Sequence, residues 1–169
     1  MTKGVGMTVR DATEADLPAI VAITNHEIRT GLALWNDTPV TLENRAAWLA
    51  ERRAAGYPVL VAETEGKVAG FGSYGPFRPQ EGYRHTVEHS VYVDQAFRRR
   101  GFGDALLAAL VAHAGASGMH AMVGAVGAAN AGSIALHLRH GFAATASLPQ
   151  VGRKFDLWHD LVFMHRLLG

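Results

Sequence analysis

Two features of this 169-residue chain have the residue types and spacing that chemistry requires. The first is Arg98-Arg99-Arg100-Gly101-Phe102-Gly103, set between the strand-like run Glu88-His89-Ser90-Val91-Tyr92-Val93 and an apolar helix opening at Asp104-Ala105-Leu106-Leu107. Glycines let the main chain curl closely around an anion. The N–H groups of a helix start point outward, with the positive end of the helix dipole behind them. The stretch from Arg98 to Asp104 is therefore expected to cradle a diphosphate. The second feature is Glu88. Strand alternation puts Glu88, Ser90 and Tyr92 on one face and Val87, His89, Val91 and Val93 on the other. An acid in so apolar a run is costly unless it has a partner or a task, so Glu88 is either a base, for instance for an amine, or half of a structural salt bridge.

Spacing and composition exclude several chemistries. A dinucleotide fingerprint needs its third glycine where Leu106 stands, and the Gly-Lys-Ser/Thr of a P-loop occurs nowhere. Sixteen Lys and Arg against fifteen Asp and Glu leave a net charge of +1, so there is no field to hold nucleic acid or an anionic membrane. No cysteine is present, which rules out disulfides, thiolate zinc sites and a cysteine acyl-enzyme. Nine histidines invite the idea of a metal. However, His85 and His89 are about 13 Å apart along a strand, and His137 and His140 lack a third ligand at recognisable spacing, so no metal is expected. With no signal-like or membrane-spanning run, the expected location is the cytoplasm. Residues 1–6 read as a loose terminus and residues 7–169 as one domain.

The elements that must position these residues follow from periodicity. Residues 7–10 read as a strand, and Thr13-Glu14-Ala15-Asp16 as a capping box opening a helix. A second helix starts at Thr41 and stops at Gly56 and Pro58. Two strands joined at Glu65-Gly66 form a hairpin, followed by the strand through Val93 and a long helix to about Ser117. Residues 122–126 are a strand and residues 131–140 a short helix. Phe142 onward gives two strands around a Gly152-Arg153-Lys154 turn. The order β-α-α-β-β-β-α-β-α-β-β is α/β with a mixed sheet.

Arg98-x-x-Gly101-x-Gly103 resembles the R/Q-x-x-G-x-G/A motif that reads the diphosphate of coenzyme A in the GCN5-related N-acetyltransferases (GNAT). The run from Asn130 to Phe142 is similar to that family's second signature. The segments at Trp35-Asn36-Asp37-Thr38-Pro39, Ser73-Tyr74-Gly75-Pro76-Phe77-Arg78-Pro79, Thr86 to Val93 and Gln150 to Asp160 look like the phosphinothricin and methionine sulfoximine N-acetyltransferase subfamily. The resemblance implies the GNAT acetyltransferase fold, a mixed, mostly antiparallel central sheet flanked by helices. It further implies acetyl-CoA as donor, a small amino acid or analogue as acceptor, and a homodimer. It raises Glu88 as the base for the acceptor's amine, and offers a backbone N–H from Val91, Tyr92 or Val93 to the thioester carbonyl. His137 stands where many members carry a tyrosine that protonates the leaving thiolate. It could equally meet the substrate amine or be a satisfied core histidine. Asn130 could be a helix cap, a partner of the pantetheine, or both.

For the acceptor, Arg78 is the choice for a carboxylate, because guanidinium matches it bidentately. Trp35, Phe77 and Tyr83 are candidates to wall the side-chain pocket, although core packing is the commoner explanation of any one aromatic. Lys154 and Trp158 are candidates to reach a pocket or a dimer interface. Two rival readings are acetylation of another amine (a polyamine, an aminoglycoside or a protein N-terminus) and a non-catalytic acyl-CoA sensor.

Overall fold

The computed structural model describes residues 6–169; residues 1–5, and with them most of the expected loose terminus, lie outside the described residues. The strands are β1 (Thr8–Asp11), β2 (Val59–Thr64), β3 (Lys67–Pro76), β4 (Thr86–Val93), β5 (Ala121–Gly127), β6 (Ala143–Lys154) and β7 (Leu157–Leu167). The helices are α1 (Leu17–Thr30), α2 (Leu42–Ala54), α3 (Phe102–Ala116) and α4 (Ala131–Arg139). The order expected from periodicity is the order observed.

All seven strands form one sheet, β1-β2-β3-β4-β5-β7-β6. Every neighbouring pair is antiparallel except β4–β5. A parallel pair needs a crossover, and α3 is that crossover. Its stripe of Phe102, Leu106, Leu107, Leu110 and Ala114 buries against Leu60, Tyr74, Val87, Met122 and Met164 on one face of the sheet. On the other face Leu17, Ile20 and Ile23 of α1 and Leu49 of α2 pack on Val59, Val61 and Phe71.

The parallel pairing runs from Thr86↔Ala121 to His89↔Gly124 and stops there. β4 continues to Val93 paired to β3 only, while β5 stays paired to β7 along its whole length. A gap therefore opens in the middle of the sheet, directly before the glycine-rich segment.

Two sequence-based boundaries need correction. Helix α3 starts at Phe102 rather than Asp104, because Gly101 takes the N-cap position. The last turn is Phe155-Asp156, with φ of 53° and 60°, and not Gly152-Arg153-Lys154. Gly152 is small for another reason: a Cβ there would lie 2.0 Å from the Trp35 ring.

Candidate active site

The amide directions along β4 follow from one hydrogen bond. Asp94 N donates to Ala69 O of β3 at 2.8 Å. By strand alternation Tyr92 and Ser90 also face β3, so the N–H groups of Val91 and Val93 point into the gap where β5 has turned away. Past Val93 the chain folds back through a short turn to the start of α3. Gly101 there has φ of 86°, a left-handed conformation that glycine adopts freely. The first bond of the helix is Ala105 N to Gly101 O, so the amides of Phe102, Gly103 and Asp104 have no helical partner and carry the dipole's positive end.

These donors lie along a groove of about 690 Å³. Val91, Tyr92, Val93, Arg98, Arg99, Gly101, Phe102, Gly103, Asp104 and Asn130, all expected to hold a donor substrate, line it. Arg100 does not; its guanidinium lies over Phe97 and Phe102, at 5.2 and 5.7 Å from the ring centres. Asn130 caps α4 by accepting from Ser133 N at 3.0 Å, and it also faces the groove. Asp104 is bound at 3.1 Å by both Arg139 and His140, which ties α4 to the start of α3.

Sequence reasoning missed Glu27. This buried carboxylate on α1 lines the groove, accepts from Arg98 at 2.8 Å and from Ala33 N at 2.9 Å, and so absorbs much of the arginine's charge. Arg98 also donates to Val93 O at 3.3 Å, so the motif's leading arginine fastens the glycine-containing loop to α1 and β4. Its sequence signal was only an acid four residues before a helix-ending glycine.

Glu88 stands on the α1–α2 face of β4, opposite Gly75 and beside Val123 of β5. It is half-buried and makes no ion pair among the described residues. Burial raises its carboxyl above the ordinary range, and the charge of Arg78 offsets this in part. Arg78 itself lies 4.9 Å over Phe77, which meets Tyr83 and Phe163 edge-on at 5.7 and 6.4 Å. Phe77, Arg78 and Tyr83 thus form one cluster, and the charge of Arg78 reaches Glu88.

Trp35 and Lys154 sit elsewhere. Trp35 stacks on His159 at 5.7 Å and donates to Leu32 O. The Lys154 ammonium is buried against the C-terminal end of α1, donating to Glu27 O at 3.1 Å, to Gly31 O at 2.6 Å and to Leu34 O. Trp158 is exposed.

His137 is buried behind the gap, on the α3–α4 side of the sheet, and does not line the groove. Its Nδ1 faces Ser133 O at 2.7 Å, a carbonyl that can only accept, so the proton belongs on Nδ1. Its bare Nε2 then accepts from His89 Nε2–H at 3.0 Å, leaving His89 Nδ1 as a buried acceptor without a partner. Burial keeps both rings neutral: it lowers His137 and, with the neighbouring His137 ring adding to it, lowers His89 to about 3.

Main-chain donors along a long groove, with an unpaired carboxylate where the β4–β5 pairing ends, are features suited to a transferase that takes an acyl group from a diphosphate-bearing carrier. The chain belongs to the acetyltransferase (GNAT) family, whose model matches residues 20–142. It is 52% identical over 158 residues to the L-methionine sulfoximine/L-methionine sulfone acetyltransferase of Pseudomonas aeruginosa, covering 93% of this chain and 92% of that one. A solved phosphinothricin acetyltransferase from Sinorhizobium meliloti, in complex with acetyl-CoA, superposes with a TM-score of 0.94 at 36% identity, covering 96% of this chain and 89% of that one. A structure described as a ribosomal-protein-alanine N-acetyltransferase from Brucella melitensis gives 0.93 at 51% identity, covering 95% and 99%.

Proposed function

We propose that the chain transfers the acetyl group of acetyl-CoA directly, in a ternary complex, to the α-amino group of a small amino acid or analogue of the methionine sulfoximine, methionine sulfone or phosphinothricin kind. Glu88 carries the reading: it is an unpaired, half-buried carboxylate at the point where β4 and β5 part. The donor supplies an acetyl group already activated as a thioester. Loop amides from Arg99 to Asp104 suit its diphosphate, and the Val91 and Val93 amides suit the carbonyl oxygen, where negative charge develops. An amino acid's amine is mostly ammonium at neutral pH and must lose a proton before attack, which is the task assigned to Glu88. Arg78 takes the acceptor's carboxylate. A thiol with a pKa of ~8.5 leaves readily, so His137 is given a supporting place behind the gap. The absence of cysteine supports direct transfer.

The reading treats residues 7–169 as one catalytic domain in the cytoplasm, where acetyl-CoA is made. It further proposes a homodimer formed through the β6–β7 hairpin, where Leu148, Val151, Leu157 and Trp158 are exposed together. The Brucella neighbour's name favours a second acceptor, a protein N-terminal alanine. The test is free-thiol release from acetyl-CoA with methionine sulfone, methionine sulfoximine, phosphinothricin, spermidine and an alanine-starting peptide. Amino-acid turnover is expected, falling about 10²- to 10⁴-fold in Glu88→Gln together with loss of the acidic limb of its pH profile. Turnover of the peptide or spermidine alone would overturn the proposed acceptor.

A further inference from the structure

A second, small cavity of about 150 Å³ lies under the α1–α2 connection, on the Glu88 face of the sheet. Arg45 and Trp48 of α2, Asn36 of the connection, and Phe71, Ser90 and Tyr92 of the sheet line it. It is too small for a sugar or a peptide and suits one amino-acid side chain. Tyr92 lines both this cavity and the donor groove, so the two spaces share a wall.

The unusual member is Arg45. Its guanidinium is half-buried, 4.9 Å over the Trp48 ring, and burial lowers its pKa. Arg10, Arg53, Arg98, Arg139 and Arg153 each pair with an acid; Arg45, like Arg78, makes no ion pair among the described residues. Its Nε and Nη2 donate only to the neighbouring Asn44 Oδ1, at 3.0 and 2.8 Å. Nη1 keeps both of its hydrogens free of protein acceptors. A desolvated guanidinium with unused donors is a receptor for oxygens held on one tetrahedral atom.

The spacing fits the acceptor. Ser90 follows Glu88 on the same face of β4, about 6.7 Å along the strand. In an extended α-amino acid the atom beyond Cγ is about 5 Å from the amine. An amine at Glu88 therefore brings a head group on that atom to Ser90 and the cavity that Arg45 lines, with Arg78, whose charge reaches Glu88, for the carboxylate. We infer that Arg45 is the specificity-determining contact for the acceptor's side chain, receiving the oxygens of a sulfone, sulfoximine or phosphinate head. This rests on the amino-acid acetyltransferase reading above. A thioether sulfur is only a weak acceptor, so Arg45 would separate methionine sulfone from methionine.

The experiment compares kcat/KM for methionine sulfone and for methionine in the wild type, Arg45→Met and Arg45→Lys, alongside acetyl-CoA binding and thermal unfolding. For Arg45→Met the sulfone value should fall about 10- to 100-fold, chiefly through KM, as expected for loss of a charged hydrogen-bond donor. The methionine value should stay within about threefold, and acetyl-CoA affinity and the Glu88-dependent acidic limb should be unchanged. Arg45→Lys should keep part of the preference, and it carries the test if the methionine variant does not fold. An equal fall for both acceptors, or no change in either, overturns the assignment while leaving the acetyltransferase reading intact. A wild type that turns over no amino acid overturns the reading beneath it.

Discussion

A methyl group added at Gly124 would lie 2.6 Å from His137 Nε2 and 2.8 Å from His89 Nε2. Neither atom is the free end of a flexible chain. The rings stack with centres 5.0 Å apart, and Phe142 closes on them edge-on at 5.2 and 5.6 Å. Gly124→Ala must therefore push the histidines apart or move α4 away from β5. Overpacking a buried site costs about 1–3 kcal/mol, and loss of the 3.0 Å Nε2–H···Nε2 bond adds about 0.5–1.5 kcal/mol. The sum, about 2–4 kcal/mol, corresponds to a fall of roughly 5–15 °C in Tm for a domain of this size. Calorimetry checks it. Combining Gly124→Ala with His137→Leu, which vacates the Nε2 position, should recover at least about 1 kcal/mol of coupling. A loss in the single variant under about 0.5 kcal/mol, or strict additivity in the pair, would refute the claim that this glycine makes room for the two rings.

The same pair sets a pH dependence. Both imidazoles are held below their ordinary range in the fold, His89 at about 3, and take up protons near pH 6.5 when unfolded, so the unfolded state binds more protons below about pH 6.5, for His89 down to about pH 3. Stability should therefore drop as pH falls through that window, by up to about 1.4 kcal/mol per pH unit from His89, with His137 adding in the same direction, and a urea midpoint that is flat from pH 7 to pH 4.5 would contradict this. Gly101→Ala places a side chain at φ of 86° and should cost about 1–2 kcal/mol; it should also weaken acetyl-CoA binding measured by calorimetric titration, because the cradle amides share the strain. Lys154→Met leaves three carbonyls at the end of α1 without their donor and should lower stability by about 3–5 kcal/mol in urea unfolding. The variant's acetyl-CoA affinity should change little, since Lys154 does not line the groove.

The element order and the glycine turn before α3 were legible because local rules decide them. Apolar periodicity marks α1 and α3, and Gly101 announces a left-handed cap that few other residues accept. The last turn was misplaced because it is made by Phe155 and Asp156, residue types that seldom take positive φ, while the nearby glycine answers to the Trp35 ring more than a hundred residues away in sequence. No local pattern carries that information. The same holds for His137. Its place on α4 was readable, but its partner His89 comes from a strand 48 residues earlier, and only the fold shows that Gly124 leaves space for both.

The pairing of Arg98 is one the chain alone does not show. Three consecutive arginines add positive charge beside the glycines, yet the first is bound to Glu27, a carboxylate 71 residues earlier. The second lines the groove and the third lies on aromatic rings. Affinity for a diphosphate must then come chiefly from main-chain amides held at fixed geometry by Gly101 and the start of α3, with Arg98 and Glu27 serving as the clamp that fixes them. If so, Glu27→Gln should slow the enzyme by loosening the loop, even though it raises the positive charge around the groove. A scheme in which arginine charge does the binding predicts tighter acetyl-CoA binding in that variant, and a calorimetric Kd separates the two.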